Sequence, residues 1–402
     1  LAREASWSRI ELEARAAYGR LVAVLAARSG DLAGAEDALA EALLAAIDRW
    51  PTDGVPANPQ AWLLTVARRR GIDRARRRAH ADAAQAELVR MQEEAEASVN
   101  EEHAFPDTRL GLMLACAHPA VDAAARTPLM LQAVLGLSAE RMASAFLTSP
   151  AAMTKRLVRA KAKLAAAGVR FTLPGPEALV ERMDPVLDAV YAAFTLSRDG
   201  VDRVLQDEAL WLARLLAELA VGEPEAAGLL ALTLFVSSRE TAVDEFTPLS
   251  QQQPADWDSR RIVEAEMLLR AAGRLGRPGR FQLEAAIQAV HADRRRTMRT
   301  DWTAILTLYD GLVLIAPTIG AQVARAAALA QSGRPAAALS ALDTLDPARV
   351  AAHQPYWAAR AYALAAHGQK AAAADAYLRA AGLTEHQPIR AWLLEQRVKL
   401  EN

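Results

Sequence analysis

The sequence predicts an all-α protein: two small helical domains, the second carrying a helix-turn-helix, followed by an α-helical, solenoid-like C-terminal domain. Three observations lead there. Of 402 residues, 52% are hydrophobic, 24% charged and only 5% aromatic, and Ala, Leu and Arg dominate while β-branched runs are scarce. Apolar residues recur at three- and four-residue steps, the period of a helix with one buried face. The last hundred residues carry a weak internal repeat, a sign of stacked helix pairs.

The first helical block runs from about Glu11 to His80. Leu32, Ala35, Leu39, Leu43, Ala46, Ile47 and Trp50 form one apolar stripe, with Asp31 placed to cap the helix. Glu36, Asp37, Glu41 and Asp48 lie off the stripe, which predicts an acidic outer surface. Pro51, Gly54, Pro56 and Pro59 break the pattern, and a new helix is expected near Gln60. It carries Trp62, Leu63, Val66 and Ile72, then the densest positive charge in the chain: Arg68, Arg69, Arg70, Arg74, Arg76, Arg77 and Arg78 against the single acid Asp73. Residues 79–107 switch sign and read as a polar, acidic linker.

The helical period returns from Thr108. Met142, Ala143 and Phe146 mark a short amphipathic helix, Leu147–Pro150 a break, and Ser149 with Pro150 the start of a second helix through Leu164. That second helix carries Lys155, Arg156, Arg159, Lys161 and Lys163 and no acid. A short helix, a tight turn and a basic helix outline a helix-turn-helix. Leu173–Pro176 is the strongest linker signal, and the charge divides there: residues 1–176 sum to +3 and the remainder to −4, within a total of −1. In the C-terminal half, Ala328–Leu342 aligns with Tyr362–Tyr377 at an offset of 34 to 35, pairing Gly333 with Gly368, Ala338 with Ala373 and Leu342 with Tyr377. The period is that of a tetratricopeptide repeat. The expected domains are 1–80, an acidic linker at 81–106, a helix-turn-helix domain at 107–173, and a helical extension at 174–402 with repeats over about 301–402.

The chemistry is that of binding. No glycine-rich phosphate loop, HExxH pair, GxSxG elbow or Cys/His cluster of zinc spacing occurs, so no enzyme, cofactor or metal is expected. Cys116 is the single cysteine, which rules out an intramolecular disulfide and suits a reducing compartment. Its neighbour His118 reads as a packed helix end. Apolar stretches such as Leu229–Val236 are far too short to span a bilayer, so a cytoplasmic protein without a membrane partner is expected. The first residue, Leu1, is expected to follow a short native leader. Arg294, Arg295, Arg296 and Arg299 read as a loop or helix end. The basic helices, by contrast, suit two contacts with one DNA, since Arg and Lys hold phosphates and the start of a recognition helix reads base edges.

In this order, the motifs resemble the extracytoplasmic-function sigma factors of bacterial RNA polymerase. Asp31-x-x-x-Ala35-Glu36-Asp37 with Glu41 and Trp50 is similar to the family's region 2.2 helix. Asn58-Pro59-x-Ala61-Trp62-Leu63 through Ile72-Asp73-x-x-Arg76-Arg77 resembles regions 2.3 and 2.4, and Leu137-Ser138 through Arg159-Ala160-Lys161 resembles region 4.2. The resemblance implies that Asp31, Glu36, Asp37, Glu41 and Trp50 dock on the β′ clamp helices of core RNA polymerase, with a further contact to the β flap. It implies that Trp62, Arg68, Arg69, Arg70, Arg74, Arg76 and Arg77 engage the minus-ten promoter element. Ser149, Lys155, Arg156, Arg159 and Lys163 would engage the minus-thirty-five element. Cys116–Ala120, Gln288–Ala292 and Thr300–Trp302 resemble the subgroup with a long C-terminal tetratricopeptide-like extension, which implies a regulatory domain that contacts the sigma-like half or a regulatory protein. Arg69, Ala152 and Ala117 depart from residues common in the family (Asn, Thr and Cys). Two readings stay open: a sequence-specific initiation factor, or a degenerate sigma-like scaffold or helix-turn-helix regulator that does not initiate.

Overall fold

The computed structural model describes residues 17–79, 109–146, 148–171, 174, 176–199, 202–220, 222–239 and 246–401, for 73–79, 144, 176, 177, 199 and 401 as backbone only. The acidic linker expected at 81–106 lies outside these residues. Every regular element described is helical. The chain divides between Ala193 and Phe194 into two compact units.

In the first unit, α1 (17–29) buries Ala17, Leu21, Val22, Leu25 and Ala26. Next, α2 (Leu32–Asp53) is capped by Asp31, whose carboxylate accepts the Gly34 N–H at 3.0 Å. Its buried stripe comprises Leu32, Ala35, Ala38, Leu39, Ala42, Ala46 and Trp50: Ala38 and Ala42 join the expected stripe, while Leu43 and Ile47, expected on it, are only half-buried. The break expected at Pro51 begins only at Gly54, because a proline in the last turn removes one hydrogen bond without stopping the helix; Gly54 then takes φ 86° and ends it. α3 (Pro59–Ala79) starts with Pro59 in its first turn and Asn58 accepting the Ala61 N–H at 3.0 Å.

All eight residues of α4 (Arg109–Cys116) are buried. α5 (Ala123–Leu135) closes on Gly136 in the left-handed conformation. α6 (Ala139–Ala145) and α7 (Pro150–Ala166) follow, and α7 begins as its sequence suggests, with Ser149 Oγ accepting the Ala152 N–H at 3.2 Å ahead of Pro150. Its buried face is Met153, Leu157, Ala160 and Leu164. α8 (Pro176–Asp199) crosses the division between the units.

The second unit continues with α9 (Arg203–Leu219), α10 (Pro224–Ser237), α11 (Ser259–Gly273), α12 (Arg280–Ala292), the four-residue α13 (Arg294–Thr297) and α14 (Trp302–Ile315). Helix α10 is buried nearly all round and packs on α11 and α12. A Cβ on Gly228 would lie 2.8 Å from the Gln282 nitrogen, so only glycine permits that approach. Glu225 accepts the N–H groups of Phe281 and Gln282 at 2.7 and 3.0 Å, holding the start of α12 with a charge of favourable sign.

Two helix pairs occupy the internal repeat: α15 (Ile319–Gln331) with α16 (Pro335–Asp343), and, after α17 (Pro347–Val350), α18 (Gln354–Ala366) with α19 (Lys370–Gly382). Gly333 and Gly368 sit in equivalent turns at φ 80° and 82°. Ala338, Ala373, Leu342 and Tyr377, the residues matched by the repeat, are all buried. α20 (Gln387–Glu401) packs on α19.

Candidate functional site

Trp50 from α2 and Trp62 from α3 meet edge to face with ring centroids 5.5 Å apart. Trp50 is 2% exposed and Trp62 half-buried. Trp50, expected on a docking surface, is therefore a packing residue: its position on the apolar stripe puts the indole between two helices. Arg69 and Arg70 are exposed beyond this contact, and Arg70 lies 3.8 Å from Glu41. Arg68 is half-buried, and burial together with nearby Arg28 lowers its pKa. The side chains of Arg74, Arg76 and Arg77 lie outside the described set.

The acidic outer surface expected of α2 holds for Asp37 and Asp48, which are exposed, and fails at Glu36. The Glu36 carboxylate forms an ion pair with Lys161 of α7, and only 13% and 16% of the two side chains are exposed. Burial pushes the Glu36 carboxyl above its ordinary range while Lys161 pulls it back. Tyr18 is half-buried and Cys116 fully buried near this charge, and burial and the Glu36 charge raise both their pKa values. One Glu36 oxygen, Oε1, is buried without a hydrogen-bond partner among the described residues. The pair spans 125 positions of sequence, and no local pattern announces it.

On α7 the basic residues separate into two groups. Lys163 pairs with Asp122 at 2.7 Å and Arg156 donates to the Ala124 carbonyl at 3.4 Å, tying α7 to the start of α5. Lys155 and Arg159 are exposed one helical turn apart, opposite the buried face, and Ser149 serves as the N-cap. His118 Nδ1 accepts the Ala120 N–H at 3.1 Å, a local turn contact.

In the second unit the motif residues converge. Gln288 accepts from Arg239 at 2.5 Å, and His291 meets Trp302 edge to face at 5.7 Å. Arg239 and Arg294 lie over the Trp257 ring at 5.8 and 5.6 Å. Arg294 also donates to the carbonyls of Leu249 and Ser250, so the arginine cluster has an anchoring residue inside it. Among the described residues, no group of three His, Cys, Asp or Glu side chains could hold a metal ion, and no helix is long and apolar enough to cross a membrane.

Comparison with known proteins adds two family matches. Residues 14–81 match Sigma-70 region 2, and residues 182–273 match a family of unknown function, DUF6596. An uncharacterized protein of Rhizobium meliloti (strain 1021) is 35% identical over 377 residues, covering 90% of this chain and 89% of the relative. No solved structure matches.

Proposed function

We propose, from the premise that this chain belongs to the same family as the Rhizobium meliloti protein and carries a sigma-70 region 2 domain, that it is a transcription initiation factor of the extracytoplasmic-function sigma type. The observation that carries the reading is the region 2 match at 14–81, a domain type that binds core RNA polymerase and promoter DNA. It is supported downstream by the acid-free helix α7 with Lys155 and Arg159 exposed on one face.

In this reading Asp31, Asp37 and Glu41 on α2 meet the polymerase clamp together with Glu36 once it is uncovered. Trp62 and the arginines from Arg68 to Arg77 hold the opened upstream DNA, while α6 and α7 act as a helix-turn-helix. Lys155 and Arg159 neutralise phosphates, Ser149 caps the end of the helix that enters the groove, and Arg156 lies almost two turns into it. Phosphate contacts of this kind position a protein on DNA; base edges supply the sequence preference. The helical part from 174 onward, with its tetratricopeptide-like pairs, regulates this activity. The test is co-purification with bacterial core RNA polymerase. Stoichiometric retention of the chain is expected, and charge reversal at Asp37 and Glu41 together should abolish it. Failure to bind core polymerase at micromolar concentration would leave the scaffold reading instead.

A further inference from the structure

We propose that the Glu36–Lys161 pair is an internal latch: Lys161 of the basic helix α7 covers Glu36, one of the polymerase-facing acids of α2, so that the chain must open before Glu36 engages polymerase. The inference rests on the sigma reading above and adds a regulatory contact to it.

Three observations place a built interface between the α1–α2 segment and the α5–α7 segment. The first is the buried ion pair itself. The second is the approach of α1 to α5: a Cβ on Gly19 would lie 1.8 Å from the Val134 carbonyl oxygen, so the two backbones touch where only glycine fits. The third is Tyr18, whose ring lies about 3.1 Å from the Cβ that any other residue would carry at Gly136, the left-handed residue closing α5.

The chemistry of the pair argues for a switch. Burying two charges costs hydration that their attraction only partly returns, and apolar residues of similar volume would hold the same interface as well or better. Here the cost is increased, because Glu36 Oε1 has no hydrogen-bond partner among the described residues. When the contact opens, both charges regain water, so the pair itself adds little to the stability of the closed form. The pair therefore fixes the register of α2 on α7 without making it permanent. Lys161 occupies the place that a cationic side chain of a binding partner would take against Glu36. Lys155 and Arg159 stay exposed in the closed form, so the latch covers the polymerase-facing acid and leaves the phosphate-facing cations accessible.

The test uses the full chain and two readouts. Hydrogen exchange reports the protection of 17–29 and 123–135, and equilibrium binding reports affinity for core RNA polymerase without DNA. In K161M, which keeps the volume and removes the charge, both segments are expected to lose protection. Affinity for core should rise about tenfold, the gain expected if roughly a tenth of the wild-type molecules are open. The charge-swapped double variant E36K/K161E should regain the protection. Unchanged protection in K161M would overturn the latch, as would lost protection with unchanged affinity. Loss of protection with no binding to core by wild type or K161M would overturn the sigma reading itself, and the latch with it.

Discussion

Trp50 and Trp62 close the two helices of the region 2 segment on each other, the first indole 2% exposed, the second half-buried, their ring centroids 5.5 Å apart in an edge-to-face contact. Truncating a buried indole removes a large apolar surface and leaves a cavity. W50A should therefore lose about 3–5 kcal/mol of stability in the first unit, and W50F roughly half that. W62A, at a half-buried position, should lose about 1–2 kcal/mol. Urea unfolding followed by circular dichroism checks the order. A W62A loss equal to that of W50A would count against the packing described.

The distinction between the two tryptophans also marks what could be read in the sequence. The apolar stripe from Leu32 to Trp50, the Asp31 cap and the Ser149–Pro150 start were legible because each is a local pattern with a local physical cause. The same stripe gave Trp50 its buried position, although the resemblance assigned it to a surface. The fate of Glu36 was not legible. It lies one step outside the apolar stripe, and only the arrival of α7, 125 residues later, takes it from water. Likewise, the bland reading of Arg294–Arg296 agrees with a four-residue helix, while the anchoring of Arg294 by the Leu249 and Ser250 carbonyls needed the folded chain.

Glu225 is the clearest stabilising contact of the second unit. Its carboxylate accepts the backbone N–H of Phe281 and Gln282 and the Gln282 side-chain amide at 3.1 Å. E225A leaves these donors without their acceptor and should cost about 2–3 kcal/mol, from the desolvation of the stranded groups and the lost charge at the helix start. E225Q should fall between. Chemical denaturation measures both, and a neutral E225A would contradict the contact.

His291 makes the second unit acid-sensitive. Burial, then Arg239 and Arg294, lower its pKa from 6.5 to about 4. The unfolded chain binds this proton more readily than the folded one. The contribution is thus complete above pH 6.5 and is lost as pH falls toward 4. After a discount for residual solvent access, the loss across that window is about 2 kcal/mol. H291Q should flatten this part of the stability profile. A wild-type profile that is already flat between those limits would remove the prediction.

The exposed cations of α7 make a separable prediction about DNA. Each phosphate neutralised releases counterions, so duplex binding by the full chain should weaken linearly on a plot of log affinity against log salt. K155A and R159A should each lower the slope by about one, whereas K163A, already paired with Asp122, should lower it less. Titration at several salt concentrations by fluorescence anisotropy distinguishes them. Equal slopes for all four proteins would show that this face does not meet phosphates.

The central claim is initiation of transcription, and reconstituted transcription tests it most directly. Bacterial core RNA polymerase, a pool of random-sequence duplex templates and the full chain or K161M are combined, and the 5′ ends of the transcripts are sequenced. The account predicts discrete start sites that require the chain, share an upstream sequence, and are used more efficiently with K161M. Transcripts no different from those of core polymerase alone with both proteins, while a parallel control reaction with another sigma factor initiates normally, would contradict it.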